Sequence, residues 1–437
     1  MSESPPFTIV GAGLAGTLLA CYLGRLGYRV ELHERRPDPR HHNQDRGRSI
    51  NLALSVRGLH ALREVGLADE VLRSAILMRG RMIHGQAGDL TFQPYGKDDS
   101  EALYSVSRAG LNLLLVEAAA RLPAVNLYFG QRCTGFDPGS NVLDFQDTGK
   151  IAAEIIVGAD GAYSAIRAQM QRQEHFNYQQ EYLTHGYKEL TIPAGPNGAF
   201  QLEKHALHIW PRGSFMMIAL PNQDGSFTCT LFWPLQGPNS FAALTAPDDI
   251  RRFFTQQFPD AVPLLPTLVE DFLHNPTGSL VTIRCRPWHQ GGKAVLVGDA
   301  CHAVVPFLGQ GMNAAFEDCT VLTQCLQAHA PHWEAAFRDY EARRKPHLDV
   351  LADLCLENFI EMRDRVGSRW FVLKKQLAVA LHRLLPRWYL PLYTMIEFTR
   401  IPYADALRRA RWQDRIVRGV LIGSGLLLLG LLWWQLR

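Results

Sequence analysis

The sequence lacks the cysteine spacings that build disulfide frameworks or zinc sites. Its eight cysteines include no CxxC pair and no Cys/His cluster with metal-ligand spacing. Most of them stand in apolar runs, as buried free thiols do. We therefore expect no metal and no disulfide framework, which favours a reducing compartment.

Strong charge and internal repetition are also missing. The formal net charge is only +3 over 437 residues, which argues against nucleic acid as the principal partner. Hydrophobic residues make up 47% and charged residues 20% of the chain, as in ordinary globular enzymes. A chain of this length predicts two or three domains. Because its first apolar strand begins by Phe7, we expect no signal peptide ahead of it.

A glycine-rich segment near the N-terminus, residues 7–16, reads as an apolar strand, a GxGxxG turn and an apolar helix. Gly11 permits the tight turn, Gly13 lets a pyrophosphate approach the backbone, and Gly16 lets helix and strand pack closely. The helix N-terminus offers unpaired N–H groups to the phosphates. Glu34 ends the next strand, where its carboxylate can accept hydrogen bonds from an adenosine ribose.

Two further glycine segments follow buried strands, at residues 158–161 (GADG) and 298–302 (GDACH). Asp299 is placed to bond the ribityl hydroxyls of a flavin, whereas Asp160 is expected to be structural. His302 has two readings, a proton relay or a histidine hydrogen-bonded beneath the cofactor. Three such segments in this order predict one pocket for FAD, which would supply the redox chemistry.

The segment 306–313 (PFLGQGMN) is glycine-rich and opens an apolar helix. A helix N-terminus there would direct a partial positive charge at the flavin. We therefore assign Gly311, Met312 and Asn313 to the cofactor. Arg108, at another helix start, is a candidate for a phosphate or flavin-edge contact, and a solvated surface arginine is the alternative.

The alternation of strand and helix patterns predicts an α/β fold with a Rossmann-like FAD-binding domain, an inserted antiparallel-sheet substrate domain and a C-terminal helical region. After His332 the pattern is helical to about residue 415, interrupted by prolines 346, 386, 391 and 402. The predicted divisions are 1–74, 101–178 and 281–340 for the FAD-binding domain, 75–100 and 179–280 for the sheet domain, 341–415 for the helical region, and 416–437 for a tail helix.

The tail contains a stretch without charge, residues 419–436, preceded by arginines 408, 409, 411, 415 and 418. That length lies at the lower limit of a membrane span, and a basic flank with terminal tryptophans is typical of an anchor. We expect a cytoplasmic catalytic body anchored by this helix. A buried or dimer-forming terminal helix is the alternative.

These motifs together resemble the single-component FAD-dependent aromatic hydroxylases. GxGxxG, GADG and GDA, followed by PFxGQGMNxxFED, form the pattern of that family. Four further segments resemble the members that hydroxylate L-kynurenine, and the likeness covers nearly the whole chain. These segments are residues 47–55 with 57–58, 78–82, 93–96 and 357–363.

The resemblance implies hydroxylation of L-kynurenine at ring position 3 with bound FAD, NADPH and O₂, a step of tryptophan degradation. Since no second dinucleotide fingerprint occurs, NADPH is expected to dock transiently. No catalytic acid or base is assigned. The alternatives are a hydroxylase or epoxidase of another aromatic or lipophilic substrate, and a membrane-tethered flavin-binding protein without turnover.

The resemblance also implies the substrate-binding residues. The carboxylate would be held by Arg81 and Tyr95, with Asn358 and Tyr393 completing the polar end. The ring would be walled by Leu220, Phe232, Pro306, Phe307 and Met362. An arginine suits the polar end because it meets a carboxylate with two donors. By pattern alone, Arg81 can equally be an exposed salt-bridged residue, Tyr95 a turn tyrosine and Asn358 a helix-surface amide.

Overall fold

The computed structural model describes residues 5–41, 51–361, 378, 380–386 and 388–435, with positions 421, 425–432 and 434 described by their backbone alone. The strands are β1 (Phe7–Val10), β2 (Val30–His33), β3 (Asn51–Leu54), β4 (Ile76–Met78), β5 (Gly80–His84), β6 (Leu90–Pro94), β7 (Leu103–Ser107), β8 (Val125–Tyr128), β9 (Cys133–Asp137), β10 (Val142–Phe145), β11 (Gly149–Ala152), β12 (Ile155–Gly158), β13 (Asn177–Ile192), β14 (Ala206–Pro211), β15 (Met216–Pro221), β16 (Phe227–Pro234), β17 (Gly278–Arg286), β18 (His289–Gln290) and β19 (Ala294–Leu296). The α-helices are α1 (Leu14–Arg25), α2 (Val56–Glu64), α3 (Ala68–Arg73), α4 (Arg108–Ala120), α5 (Ala165–Met170), α6 (Pro247–Gln257), α7 (Leu268–His274), α8 (Asp299–His302), α9 (Gly311–His329), α10 (Trp333–Ile360), α11 (Leu392–Phe398) and α12 (Tyr403–Gln435).

The first sheet has six strands in the order β18-β19-β12-β1-β2-β8. β1 pairs in parallel with β2 and β12, and β12 pairs in parallel with β19. Every residue of β1, β12 and β19 is buried, as expected for a parallel sheet covered on both faces. Because parallel strands end at the same edge, the three glycine segments that follow these strands meet there.

The second large sheet has seven strands in the order β17-β13-β16-β15-β14-β5-β6. The antiparallel pairing expected in this domain is present in the hairpins β14-β15 and β15-β16. β5 adds in parallel to β14 and so brings an early part of the chain into this sheet. A separate core of buried aromatic side chains covers one face, with Trp210 and Trp233 fully enclosed.

The expected limits of the sheet domain at residues 75 and 281 do not coincide with the limits of its strands. The boundary at residue 281 falls inside β17, whose pairing with β13 extends from residue 278 to residue 286. β4 pairs with β7 in a small β3-β7-β4 sheet, so the chain enters the large sheet only at β5. Both limits move by a few residues because backbone pairing, and not the hydrophobic pattern, sets the extent of a sheet.

The predicted interruption at Pro346 is wrong, because α10 is continuous through it. Proline in a helix interior removes one backbone hydrogen bond and costs about 3 kcal/mol. Buried residues on both sides of Pro346, among them Arg344 and Leu348, hold the helix in place. Pro391 and Pro402 directly precede α11 and α12, where proline suits a helix start.

Buried ion pairs join α2, α9 and α10. The Glu317 carboxylate accepts hydrogen bonds from Arg57 at 2.7 Å and from Arg344 at 2.6 Å. Arg344 also donates to Asp318 at 2.7 Å. Arg57 in addition donates to the backbone carbonyl of Ile396, which ties α11 to α2.

The C-terminal helix α12 runs from Tyr403 to Gln435. Its first turns pack on the body through the buried residues Tyr403, Ala406 and Gln413. Among the described residues, no helix combines the length and apolarity that a membrane crossing requires.

All eight cysteines are free thiols, with Cys133 half-buried and the others buried.

Candidate active site

Protein atoms pack closely against Gly11 and Gly16 of the GxGxxG turn, whereas the space beside Gly13 is open. A Cβ added at Gly11, which has φ +106°, would lie 2.5 Å from the carbonyl oxygen of Ala159 in the second glycine segment. A Cβ at Gly16 would overlap the carbonyl oxygen of Gly11. Nothing lies within 4 Å of a Cβ at Gly13, the residue before α1. The open side at Gly13, next to a helix N-terminus, fits the pyrophosphate of FAD.

Glu34 is tied to the same turn. Its carboxylate accepts hydrogen bonds from the backbone N–H of Ala12 at 2.8 Å and from the backbone N–H and Nε of Arg36 at 3.0 and 2.9 Å. Burial alone would raise the pKa of Glu34, but the contacts with Arg36 and Ala12 bring it below its ordinary value. The group is therefore a carboxylate, and the oxygen that faces Ala12 keeps a lone pair for a ribose hydroxyl.

The second and third glycine segments differ in what their acids do. Asp160 accepts hydrogen bonds from the backbone N–H groups of Ala165 and Ile166, so it caps α5 as a structural residue. Asp299 begins α8 with its side chain exposed and available to a ligand. His302 is buried and hydrogen-bonded to Asp318.

The glycine-rich loop after residue 305 is fixed by Asn313. The Asn313 amide donates to the backbone carbonyls of Ala53 and Gly309, both at 2.9 Å, and accepts from the Ser55 N–H at 2.9 Å. Both protons of the side-chain amide are thus engaged with protein atoms, so this side chain orders the loop. α9 begins at Gly311, so the N–H groups of Gly311 and Met312 lie in its first turn, where a helix leaves donors free.

Arg108 is the exposed first residue of α4. The described residues give its side chain no hydrogen bond or ion pair. Its charge acts on Tyr187 of β13, whose ring contacts Phe232 at 6.4 Å between centroids. Both readings of Arg108, as a cofactor ligand and as a surface arginine, remain open.

Arg81 lies between two tyrosine rings at the start of β5. Its guanidinium carbon is 5.6 Å from the ring centroid of Tyr95 and 4.9 Å from that of Tyr393. Arg81 Nε and the Tyr95 hydroxyl are buried, and neither has a hydrogen-bond partner within the described part of the chain. The exposed salt-bridged arginine is instead Arg79, whose Nε lies 2.9 Å from Asp99.

Asn358, near the end of α10, bridges to the glycine-rich loop. Its side-chain amide donates to the backbone carbonyl of Phe307 at 2.7 Å. Tyr393 lies near the start of α11, and its ring stacks on Tyr95 with the centroids 5.9 Å apart. The structure thus brings Tyr95, Tyr393 and Arg81 into one cluster. Asn358 is bonded to the glycine-rich loop through Phe307.

The predicted ring wall divides into two neighbouring groups. Phe307 contacts Phe232 at 5.1 Å and Phe359 at 4.4 Å between ring centroids. Leu220 belongs instead to the buried cluster of Tyr95, and Ile218 packs against both groups. Pro306 is exposed at the start of its 3₁₀ turn, and Met362 lies outside the described residues.

Sequence reasoning missed Glu397, Gln310 and Phe359. Glu397 is 1% exposed and accepts a hydrogen bond of 2.5 Å from Gln310 Nε2, whose carbonyl oxygen accepts from the Tyr403 hydroxyl at 2.9 Å. Burial raises the pKa of Glu397 to about 8, against the opposing charge of Arg81. One signal was available: Glu397 stands four residues after Tyr393, so both lie on one helix face.

The chain matches the family model for the FAD binding domain over residues 6–354. It is 53% identical to kynurenine 3-monooxygenase of Myxococcus xanthus over 94% of this chain and 89% of the relative. The corresponding protein of Salinispora tropica is 50% identical over 97% of this chain and 94% of the relative. The corresponding protein of Dictyostelium discoideum is 45% identical over 96% of this chain and 94% of the relative.

Two solved structures are similar in fold. The first is 2-methyl-3-hydroxypyridine-5-carboxylic acid oxygenase, with a TM-score of 0.69, 22% identity, and coverage of 84% of this chain and 95% of that one. The second is P. aeruginosa PqsL in complex with 2-aminobenzoylacetate, with a TM-score of 0.68, 19% identity, and coverage of 83% and 97%. At these identities the likeness establishes the flavoprotein hydroxylase fold.

Proposed function

This chain belongs to the kynurenine 3-monooxygenases within the family of the FAD binding domain, and we propose from that premise that its substrate is L-kynurenine. It is an FAD-dependent monooxygenase. The proposed reaction uses NADPH and O₂ and places a hydroxyl group at ring position 3 to give 3-hydroxykynurenine.

The buried polar cluster around Arg81 carries the proposal. An amino-acid carboxylate taken out of water needs a matched cation, and a guanidinium offers parallel donors to both oxygens. Arg81 Nε and the Tyr95 hydroxyl are buried donors without protein partners in the described residues, so a carboxylate here would satisfy both. Tyr393 contacts both Arg81 and Tyr95, and we propose that Asn358 completes the polar end.

The aromatic group beside the cluster supports an aryl substrate. Phe232, Phe307 and Phe359 present apolar faces next to the polar end, and Leu220 packs against Tyr95. Together they would hold the ring and exclude water from it. Bound FAD would supply the redox chemistry, taking reducing equivalents from NADPH and delivering an oxygen atom from O₂.

The cofactor assignment follows the three glycine segments. We propose that Gly11, Gly13 and Gly16 admit the pyrophosphate. Glu34 would accept a hydrogen bond from the adenosine ribose, and Asp299 would accept one from the ribityl chain. The first turn of α9, with Gly311 and Met312, would favour negative charge on the flavin by about 0.3–2 kcal/mol.

The chain is accordingly divided by task. We propose that the six-stranded sheet and its helices bind FAD, that the seven-stranded sheet with β5 and β6 supplies Arg81 and one wall of the substrate site, and that α10 and α11 close the site from the C-terminal side. This is the predicted three-part division with the sheet limits moved to β5 and β17.

A turnover assay tests the function. L-kynurenine should accelerate NADPH oxidation by the purified yellow protein, with 3-hydroxykynurenine as the product in a chromatogram. A panel of other aromatic and lipophilic substrates separates the rival hydroxylase or epoxidase. No acceleration by any of them would leave a flavin-binding protein without turnover and would overturn the proposal.

The tail is the subject of a second, narrower proposal. We propose that α12 contacts a membrane surface through its arginine-rich part and its exposed apolar residues Trp412, Val420 and Ile422. Basic residues beside apolar ones favour anionic lipid surfaces. Truncation after Arg415 should move active enzyme from the membrane fraction to the supernatant. An intact chain that stays in the supernatant without detergent contradicts the proposal.

A further inference from the structure

A buried acid lies next to the proposed carboxylate site. Glu397 projects from α11 one helical turn after Tyr393, and its side chain is closed off from solvent. One carboxyl oxygen, Oε2, accepts from Gln310. The other, Oε1, is buried and has no hydrogen-bond partner within the described part of the chain. A buried carboxyl oxygen left open in this way calls for a partner that the described residues do not provide.

Arg81 and Glu397 are opposed but do not touch. Arg81 is the charge that acts most strongly on Glu397, yet among the described residues no ion pair within 4 Å joins them. Both keep an unpartnered buried atom, Nε on the arginine and Oε1 on the acid. Arg81 and the Glu397 carboxyl group are therefore close enough for the arginine charge to act on the acid, but no hydrogen bond or ion pair joins them among the described residues.

We propose that Glu397 is the second anchor of the substrate's amino-acid group, accepting a hydrogen bond from the α-ammonium while Arg81 holds the α-carboxylate. The proposal rests on the proposed function, in which the substrate is an α-amino acid. A zwitterion taken into a buried site needs both a cation and an anion, because either substrate charge left alone would lose its hydration without replacement.

None of the other titratable groups described around Glu397 is suited to accept a hydrogen bond from the substrate's α-ammonium group. Arg57, on α2, is committed to Glu317 and to backbone carbonyls. Tyr403, on α12, donates to Gln310. The remaining titratable groups that act on or respond to Glu397 are neutral at pH 7, namely Tyr95 after β6, Tyr393 on α11 and Cys355 on α10. None of them offers a negative charge to an ammonium group.

The proposal predicts that binding of the substrate releases a proton. With its pKa raised to about 8 by burial, Glu397 is mostly protonated in the free enzyme at pH 7. An ammonium partner favours the carboxylate, so binding must release a proton. The KM for L-kynurenine should therefore fall as pH rises from 6 to 8, by up to about tenfold per pH unit, and level off above 8.

The test compares three substrates with three proteins. The substrates are L-kynurenine, its analogue without the α-amino group, and its analogue without the α-carboxylate. The proteins are the full-length wild type, Glu397→Gln and the control Glu174→Gln, which alters an exposed acid. FAD content and the flavin spectrum verify that each protein is folded.

We expect Glu397→Gln to raise the KM for L-kynurenine on the order of 10- to 100-fold, as loss of a charged hydrogen bond does. Its KM for the analogue without the amino group should change little, and its pH dependence between 6 and 8 should be flat. Glu174→Gln should match the wild type. Glu397→Asp, which keeps the charge on a shorter stem, should recover part of the affinity.

Calorimetry of the wild type in two buffers of different ionisation enthalpy covers the case in which Glu397→Gln does not fold. Proton release on binding L-kynurenine, absent for the analogue without the amino group, supports the proposal. Proton uptake, or equal loss of both substrates in Glu397→Gln, overturns it. A wild type that neither binds nor oxidises L-kynurenine refutes the proposed function instead, which is a separate result.

Discussion

Two arginines in neighbouring positions have opposite environments. Arg79 lies at the surface in an ion pair with Asp99, whereas Arg81 is enclosed by Tyr95 and Tyr393. The sequence alone allows either arrangement for Arg81, because the residue that encloses it from α11 stands more than 300 positions later. The family resemblance singled out the right arginine for a buried site, but the environment itself was not readable from local pattern.

Arg81→Ala should weaken L-kynurenine binding by about 2–5 kcal/mol, since the substrate carboxylate would be buried without its cation. FAD content should stay at the wild-type level. Arg79→Ala, at an exposed pair, is the matched control and should change affinity by less than about 1 kcal/mol. The measurement is a substrate titration followed by flavin fluorescence. Equal affinities of the two variants would contradict the assignment of Arg81.

The glycines of the first turn should separate cofactor binding from folding. Gly13→Ala places a methyl group where no protein atom lies within 4 Å, so the apoprotein should lose less than about 1 kcal/mol while FAD affinity falls at least about tenfold. Gly16→Ala forces a methyl group into the Gly11 carbonyl and should destabilise the apoprotein by about 1–3 kcal/mol.

Denaturant unfolding of the apoproteins, with fluorescence titration of FAD, measures both effects. An unchanged FAD affinity in Gly13→Ala would place the pyrophosphate elsewhere.

Asn313 and Glu397 mark the limit of residue-level prediction. The motif around Asn313 located the loop, but only the fold shows that its amide is spent on Ala53, Ser55 and Gly309. Glu397 stands outside every motif that the sequence reading used. Its proximity to Arg81 depends on how α11 packs, which no local signal records.

At the scale of elements, the parallel sheet was predictable in its central part. Apolar strands followed by glycine segments were expected to end at one edge, and β1, β12 and β19 do so. The predicted interruption at Pro346 was wrong because it followed from the low helix propensity of proline, whereas packing of the neighbouring residues determines whether this helix continues. The ion pairs of Arg344 and the enclosed side chain of Leu348 keep α10 continuous through the proline.

Removing one member of the ion-pair network between α2, α9 and α10 should be strongly destabilising. Glu317→Ala leaves Arg57 and Arg344 buried without their shared partner and should cost about 3–5 kcal/mol. Glu334→Ala removes the acid of an exposed pair with Arg338 in α10 and should cost less than about 1 kcal/mol. Urea unfolding measures the difference, and a similar cost for both variants would argue against the network.

The same network should make the free energy of unfolding decrease at acidic pH. Burial raises the pKa of Glu317, but Arg344 and Arg57 outweigh it, so its pKa lies below the ordinary 4.5. The folded state then binds fewer protons than the unfolded state, and this part of the stability is present above pH 4.5 and lost as pH falls through the folded-state pKa. Unfolding free energies from pH 7 to 3 should decline less steeply in Glu317→Gln than in the wild type.

At the scale of the molecule, the fold class followed from the order of motifs, but the exact limits of the sheets did not. β5 and β17, about 200 residues apart in the sequence, join the seven-stranded sheet through pairings with β14 and β13. Such distant pairings depend on register across the whole sheet, which a hydrophobic pattern in one segment does not specify.

FAD should hold these distant segments together. Removing it should lower the melting temperature by several degrees, and adding it back should restore the difference by mass action, by about 2.7 kcal/mol at a hundredfold excess over Kd. FMN, which lacks the adenylate, should restore less because it leaves the turn of Gly13 and Glu34 without a ligand. Equal rescue by FMN in thermal unfolding would show that this turn contributes nothing to cofactor binding.

The buried cysteines bear on how the enzyme survives its own chemistry. Flavin oxygenases that consume O₂ without hydroxylating release hydrogen peroxide, an oxidant that attacks thiolates. Burial raises the pKa of Cys325 to about 11 and that of Cys21, Cys133, Cys229, Cys285 and Cys355 to about 12, and it keeps Cys301 and Cys319 well above their usual range. At neutral pH roughly one Cys325 thiol in ten thousand is ionised, and fewer of the others. The cysteines should therefore resist oxidation by hydrogen peroxide that the enzyme releases when O₂ is consumed without hydroxylation.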